Sequence, residues 1–415
     1  MVEAIPGKET VLYEAARPPL TGVSARGYPW IVLAVVVLAG VAASLNQFEV
    51  PPLLPVLMTS FRVDLRAAGS LMSVFAVTGA VLALPSGYIL RRLGPRAAGV
   101  IAIGTMVVGG IIGALSGGFG VLLLGRAIEG LGLGLISVVA PTVIALWFPP
   151  ESRGIPMGIW AAWFPLGGAV MFNAAPALAE WGGWRTVWWF GVVIGLVALA
   201  LYRAFTRVPP SAVGDEHSPV VASLHDTDTG TEATRRTIWL LAAAFLLFSV
   251  TIASLTTFYP TFLGSTRGYS LWAAAALSSF QLYGGICAGP IAGFVLDRLG
   301  SRKIVLAAGL LLLAGTWLFP FVIHAWQIPV FLTLIGFVGA AVPTTVFATV
   351  PEVMGRADLV GKGMAILMLG QNLGFVVGPP VFSGLVQALG WAGAGYVCVP
   401  LLVTAAAFGW FVRVR

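Results

Sequence analysis

Gly293-Phe-Val-Leu-Asp-Arg-Leu-Gly-Ser-Arg302 and Gly87-Tyr-Ile-Leu-Arg-Arg-Leu-Gly-Pro-Arg96 are two copies of one pattern, 206 residues apart. Each is a short basic connector between two apolar runs. Three further matches keep nearly the same spacing: Ala140-Pro-Thr-Val143 with Val342-Pro-Thr-Thr345 at 202, Pro150-Glu151 with Pro351-Glu352 at 201, and Gly183-Trp184 with Gly390-Trp391 at 207. One block could coincide by chance, but four in register mean a duplicated half. Two parallel repeats of six membrane spans are one of the internally symmetric architectures of transporters.

The composition agrees with a chain of spans. Hydrophobic residues make up 58% of the chain and charged residues 9%, against about a quarter charged in a soluble globular protein. A span needs about 20 apolar residues, and the sequence predicts twelve, at 29–58, 66–90, 97–117, 119–148, 155–179, 184–203, 238–263, 271–297, 303–323, 328–350, 361–388 and 391–412. The fold class expected is therefore an all-α polytopic membrane protein of two pseudo-symmetric six-helix bundles.

Between them, Pro209 to Pro219 and Asp226 to Glu232 are too polar to bury a core and read as a linker. The expected organisation is a cytoplasmic N-terminal tail (1–28), a six-helix bundle (29–203), a cytoplasmic linker (204–237), a second six-helix bundle (238–412) and a cytoplasmic end (413–415). Positive connectors stay in the cytoplasm. With the N-terminus inside, 18 of the 23 Lys and Arg residues fall on that side, four fall outside (Arg62, Arg66, Arg185, Arg267), and Arg126 remains within the membrane. The expected location is the cell membrane, a bacterial inner membrane, with both termini cytoplasmic.

The net charge of +7 resides in these connectors, so it does not indicate nucleic acid. Cys287 and Cys398 lie in different apolar runs and read as small packing residues, with no disulfide framework or metal site. There is no Ser/His/Asp or Cys/His grouping and no phosphate-binding glycine loop followed by lysine, and the three histidines lie outside the spans. An enzyme, ATP hydrolysis, a metal and a cofactor are not implied; the partners expected are a small-molecule substrate, protons and the bilayer, around a monomer.

Charges inside spans are costly and mark functional positions by default. Arg126 and Glu129 sit three residues apart in Leu122-Leu-Leu-Gly-Arg-Ala-Ile-Glu-Gly-Leu-Gly-Leu-Gly-Leu135, close enough to neutralise each other on one helix face. Span 1 contains Asn46-Gln-Phe-Glu49-Val-Pro51-Pro52, and the residue before a proline is pushed out of helix. This span is predicted to break, freeing backbone carbonyls as transporter sites do. Counting the helix rise of about 1.5 Å per residue puts Glu49 and Arg126 in the same outer half. The second half has no acid or base well inside a span, so Gln371 and Asn372 near the midplane, with Gln281, are its candidates. Trp163 and Asn173 of span 5 complete the predicted substrate or coupling set of Asn46, Glu49, Arg126, Glu129, Trp163, Asn173, Gln281, Gln371 and Asn372. The glycine-rich stretches Gly104 to Gly113, Gly130 to Gly134 and Gly370 to Gly378 are expected to be close-packing surfaces on which the halves slide.

Together these motifs resemble the major facilitator superfamily over almost the whole chain. That family's loop signature, Gly-x-x-x-Asp-Arg-x-Gly-x-Arg followed by a basic residue, is met by Gly293, Asp297, Arg298, Gly300, Arg302 and Lys303; the first copy departs from it, with Arg91 in the place of the aspartate. Leu122-x-x-x-Arg126-x-x-x-Gly130-x-Gly132 is similar to the family's span-4 motif, whose arginine is associated with proton coupling or substrate binding. The stretch from Trp147 to Gly154, with Met157-Gly158 and Pro165-Leu-Gly167, resembles the nitrate/nitrite and organic-anion (monocarboxylate) porter branches, though the glycine-asparagine signature of nitrate porters is missing from spans 5 and 11. The resemblance implies a secondary transporter working by alternating access, with spans 1 and 4 lining the first half of the cavity. At the cytoplasmic rim a gate of Arg91, Arg92, Asp297 and Arg298 is expected, and the charges within the spans add the expectation that protonation of Glu49 is the coupling step in symport of a small organic or inorganic anion. The alternative is proton-driven efflux of an amphiphilic drug-like compound, for which Pro165-Leu-Gly-Gly168 and Gly378-Pro379 partly resemble an antiporter motif.

Overall fold

The computed structural model describes residues 27–148, 152, 154–207, 232–299, 301–354 and 357–412. In the first half the helices are α1 (Tyr28–Gln47), α2 (Val50–Phe61), α3 (Leu65–Ala114), α4 (Phe119–Trp147), α5 (Gly154–Ala161), α6 (Trp163–Gly182) and α7 (Arg185–Phe205). The second half has α8 (Glu232–Arg267), α9 (Leu271–Ser278), α10 (Phe280–Leu299), α11 (Arg302–Thr316), α12 (Ile328–Met354) and α13 (Ala357–Phe411).

Ten stretches among the described residues are long and apolar enough to cross a bilayer. The last, Gly363–Phe411, is 49 residues long and is interrupted at Gly390, whose φ of 71° no helix permits. It therefore crosses twice. α11, 15 residues long and prolonged by turns towards Ile323, supplies the twelfth crossing. The protein is an all-α polytopic membrane protein. Its even number of spans returns both ends of the described chain to one face, here the terminal side; the other is the far side.

α8 begins at Glu232, ahead of position 238 where the second bundle was expected to start. Glu232-Ala-Thr-Arg-Arg236 is free of glycine and proline, so nothing in it stops the helix from starting early. The rest of the expected linker, 208–231, lies outside the described residues, as do the tail to residue 26 and the end from 413.

The duplication is visible in the turns. On the far side, Arg62 and Gly268 both take left-handed backbone (φ 53° and 71°), 206 positions apart. Two residues on, Asp64 Oδ1 accepts from the Ala67 N–H at 2.8 Å and Ser270 Oγ from the Ala273 N–H at 3.2 Å. Each cap satisfies a donor that the helix itself cannot. Gly183 and Gly390, the matched pair of the sequence, both have positive φ (81° and 71°).

The glycine-rich stretches do pack closely, but within each half and not between the halves. A Cβ on Gly134 would collide with the Gly79 carbonyl, and one on Gly130 with Phe75 and Thr78. Gly370, Gly374 and Gly378 of α13 lie against Ala242, Ser249 and Val250 of α8. The reason is steric: backbone-to-backbone approach this tight fixes two helices together rather than letting them slide. Gly104 faces open space.

Apolar packing joins the halves unequally. One cluster of buried side chains spans both, and its first-half members are Leu45 to Leu57, Ala68 to Met72, Ala114, Leu122, Ala169 to Ala175 and Trp184 to Trp188, all towards the far side. The cluster nearer the terminal side, from Val32 to Tyr202, draws on the first half alone. The neighbours of three glycines cross between the halves: a Cβ on Gly69 would meet Phe258, one on Gly168 Leu282, and one on Gly285 Pro165.

Candidate functional site

α1 stops at Gln47 because of the residues that follow. Pro51 and Pro52 have no N–H, so the carbonyls four residues upstream, those of Gln47 and Phe48, cannot close helical bonds. The chain turns at Phe48 and Glu49, and α2 restarts with the prolines in its first turn, where a missing N–H costs nothing. Arg126 of α4 closes the gap. Its Nη1 donates to the Asn46 carbonyl at 2.6 Å and its Nη2 to the Gln47 carbonyl at 3.4 Å. A guanidinium thus stands where the next turn's N–H groups would be.

The same Nη1 donates to Glu129 Oε2 at 2.6 Å and lies 3.7 Å from Glu49 Oε2. The face of Phe75 lies 4.2 Å from the guanidinium carbon, a cation–π contact. Glu49 occupies the N-cap position of α2, at the positive end of that half-helix, without a side-chain hydrogen bond to it. All three charged residues are 0% exposed.

Glycines allow this depth. A Cβ on Gly109 of α3 would press on Glu129 at 2.7 Å, and one on Gly191 of α7 would collide with Glu49 Oε1 and Asn46 Oδ1. The cluster therefore sits inside the first bundle, enclosed by α1, α3, α4 and α7. Arg126 is buried, its Nη groups binding the α1 break and Glu129 and facing Glu49.

Acceptors outnumber donors here. Among the described residues, Asn46 Oδ1, Gln47 Oε1, both Glu49 oxygens and Glu129 Oε1 have no hydrogen-bond partner, against one donor, Arg126 Nε, that has none. With both acids ionised the cluster carries one net negative charge, and with one proton bound it is neutral. Burying an uncompensated charge is far costlier than burying a neutral group.

The remaining expected residues lie apart from this cluster. Asn173 Nδ2 donates to the Ala169 carbonyl at 2.8 Å and to the Tyr283 hydroxyl at 2.9 Å, a hydrogen bond between the halves. Gln281 Oε1 accepts from Thr256 Oγ1 at 3.4 Å inside the second half. Trp163 stacks on Trp160 with ring centres 5.2 Å apart, and both close on Gly40 of α1. Beside them, Trp30, Leu33, Val37 and Val41 of α1 face Ile159 and Leu166 across an apolar groove. Gln371 and Asn372 are half-buried on α13. Tyr259 is buried and donates to the Pro320 carbonyl at 2.8 Å. Cys398 is buried as a packing residue should be, whereas Cys287 is exposed on its helix.

Of the expected gate, Arg92 is exposed and lies 5.2 Å over the Tyr88 ring, and Arg298 is exposed. The side chains of Arg91 and Asp297 lie outside the described residues. Among the described residues a terminal-side ion pair joins Arg302 to Glu352 at 2.6 Å, linking two of the repeated blocks. In the first half Arg96 instead donates to the Arg203 carbonyl at 2.7 Å, and the Tyr202 hydroxyl to the Pro95 carbonyl at 3.0 Å. Neither contact is marked in the sequence, because both join positions 107 residues apart.

Comparison with known proteins agrees with this architecture. The probable sulfoacetate transporter SauU of Cupriavidus necator is 23% identical over 386 residues, 87% of this chain and 88% of that one. The chloramphenicol resistance protein of Streptomyces lividans is 26% identical over 90% of this chain and 95% of its own. The hexuronate transporter of Bacillus subtilis is 25% identical over 65% and 67%. A bacterial homologue of the human lysosomal transporter Spinster, solved in an inward-facing and unoccupied conformation, superposes with a TM-score of 0.78 at 17% identity, covering 94% of this chain and 98% of that one. The profile of the Major Facilitator Superfamily matches residues 32–287 and 274–415. The chain belongs to the Major Facilitator Superfamily and is a membrane transporter of small solutes rather than an enzyme.

Proposed function

We propose that this transporter is driven by protons and that Glu49 is the acid that carries them. The observation that supports this reading is the enclosed set of one guanidinium and two carboxylates, in which only Glu129 is hydrogen-bonded to Arg126. Glu49 stands 3.7 Å away with both oxygens unpartnered among the described residues. A proton on Glu49 neutralises the cluster without breaking the Arg126–Glu129 bond. The terminal side is the cytoplasm in this reading, and the shared far-side core corresponds to an inward-facing state. The chain works as a monomer in a bacterial inner membrane.

The solute is a small organic anion, as the names of the sulfoacetate and hexuronate transporters indicate for those relatives. A second reading, efflux of an amphiphilic compound, draws on a separate observation: the apolar groove between α1 and the α5–α6 region has no charged wall, and a relative of matching length is named for chloramphenicol resistance. Proteoliposomes loaded with a pH-sensitive dye decide between them. Under an imposed pH gradient, sulfoacetate, a hexuronate and chloramphenicol are each offered as solute. Glu49→Gln is expected to keep solute exchange and lose gradient-driven accumulation; accumulation at the parent level removes Glu49 as the coupling acid.

A further inference from the structure

Asn46 stands one helical turn before Glu49, is 2% exposed, and presents its side-chain oxygen to the same spot above Gly191 as Glu49 Oε1. Neither oxygen has a donor among the described residues. Both oxygens lie within 2.6 Å of the place a Cβ on Gly191 would take, and a hydrogen between them would relieve the approach of two acceptors. Gly191 keeps the spot clear, since any side chain there would collide with both oxygens. The charged groups facing Glu49 are Arg126 and Glu129, both on α4. Arg126 Nη1 already donates to Asn46 O and Glu129 Oε2, and its approach to Glu49 is on Oε2, at 3.7 Å, rather than on Oε1. α7 brings only Gly191 to this oxygen, and α3 brings Gly109 and Gly110 to Glu129.

We propose that Asn46 is the positioning residue for the proton: Glu49, when protonated, donates its O–H to Asn46 Oδ1. The inference rests on Glu49 being the coupling acid. The proton moves from water to Glu49 Oε1 and leaves the same way; Asn46 is unchanged chemically and holds the acid's hydroxyl in one orientation. Because Asn46 also gives its backbone carbonyl to Arg126, one residue senses the proton through its side chain and the arginine through its main chain. Gain or loss of the Glu49 hydrogen bond thereby reaches the α1 break directly.

The test needs no solute. Infrared difference spectra of the full-length protein in lipid vesicles, recorded across pH, follow the carboxyl C=O band that Glu49→Gln removes. Asn46→Ala takes away an acceptor that serves only the protonated form, so the midpoint of that band is expected to fall by about half a unit to one unit. A midpoint that rises would mean that the Asn46 amide donates to ionised Glu49, and an unchanged one that the two do not interact; either overturns the proposal. Where Asn46→Ala does not yield folded protein, Asn46→Ser takes its place. A double-mutant cycle gives a second measurement. In Glu49→Gln the new amide can donate to Asn46 as the protonated acid does, so Asn46→Ala should lower the melting temperature more there than in the parent at high pH. Equal losses in both backgrounds also overturn the proposal. The two readings fail separately. If the band titrates and Glu49→Gln abolishes accumulation while Asn46→Ala is silent, only the role of Asn46 falls; if Glu49→Gln still accumulates solute, the coupling role falls first.

Discussion

Replacing Arg126 with methionine keeps roughly the volume of the side chain and removes its donors. Two backbone carbonyls, those of Asn46 and Gln47, lose their partner, at about 1–3 kcal/mol each for buried groups. Glu129 loses its ion pair while remaining buried, and breaking such a pair from one side costs about 3–5 kcal/mol. The sum is about 5–11 kcal/mol, as large as the whole stability of many proteins. With both acids ionised the cluster goes from one net negative charge to two, so Arg126→Met is expected to reach the membrane in low yield and to melt far below the parent. Adding Glu129→Gln restores the parent's charge and should recover the ion-pair share, leaving the two carbonyls as the residual loss. Thermal unfolding of the purified variants in detergent reads both. If Arg126→Met melts with the parent, or if the double variant is no better than the single, the guanidinium is not what holds the α1 break.

Further outcomes follow from particular contacts. Gly134→Ala, whose Cβ meets the Gly79 carbonyl, is expected to cost about 1–3 kcal/mol by overpacking two backbones. Gly104→Ala, which meets nothing within 4 Å, should be neutral or gain up to about 1 kcal/mol of helix propensity; equal melting temperatures would contradict the packing described. Tyr283→Phe removes the hydrogen bond from Asn173 across the halves. The loss of about 1 kcal/mol should shift the balance away from the far-side-sealed form several-fold, read as longer distances between spin labels at the far-side ends of α2 and α8.

Local patterns are what the sequence makes legible. The spans follow from runs of apolar residues, the break in α1 from Pro51 and Pro52, and the duplication from blocks that keep their spacing. The pairing of Glu49 with Arg126 was reachable by counting helix rise, because both charges had to be buried at one depth. Which way a side chain faces is another matter. Nothing in the sequence tells whether Arg126 opens onto a cavity or into its own bundle; that depends on Gly109, Gly125 and Gly191, which let α3 and α7 close over the cluster. Asn173 is polar in an apolar run, but its partner Tyr283 lies 110 residues away. The far-side caps, Asp64 and Ser270, are chemically different residues doing one job. A match by residue identity passes over them.

The arginine at the α1 break has one more consequence. Transporters with interrupted helices commonly leave the freed carbonyls to a mobile cation, and such a protein is tied to whatever salt surrounds it. Here the cation is a side chain. It cannot diffuse away, be diluted or be replaced by a rival ion, so the broken helix stays neutralised in any medium. Under the proposed coupling, what is left to come and go is the smallest cation of all, and the driving supply is the acidity of the surroundings rather than their salinity.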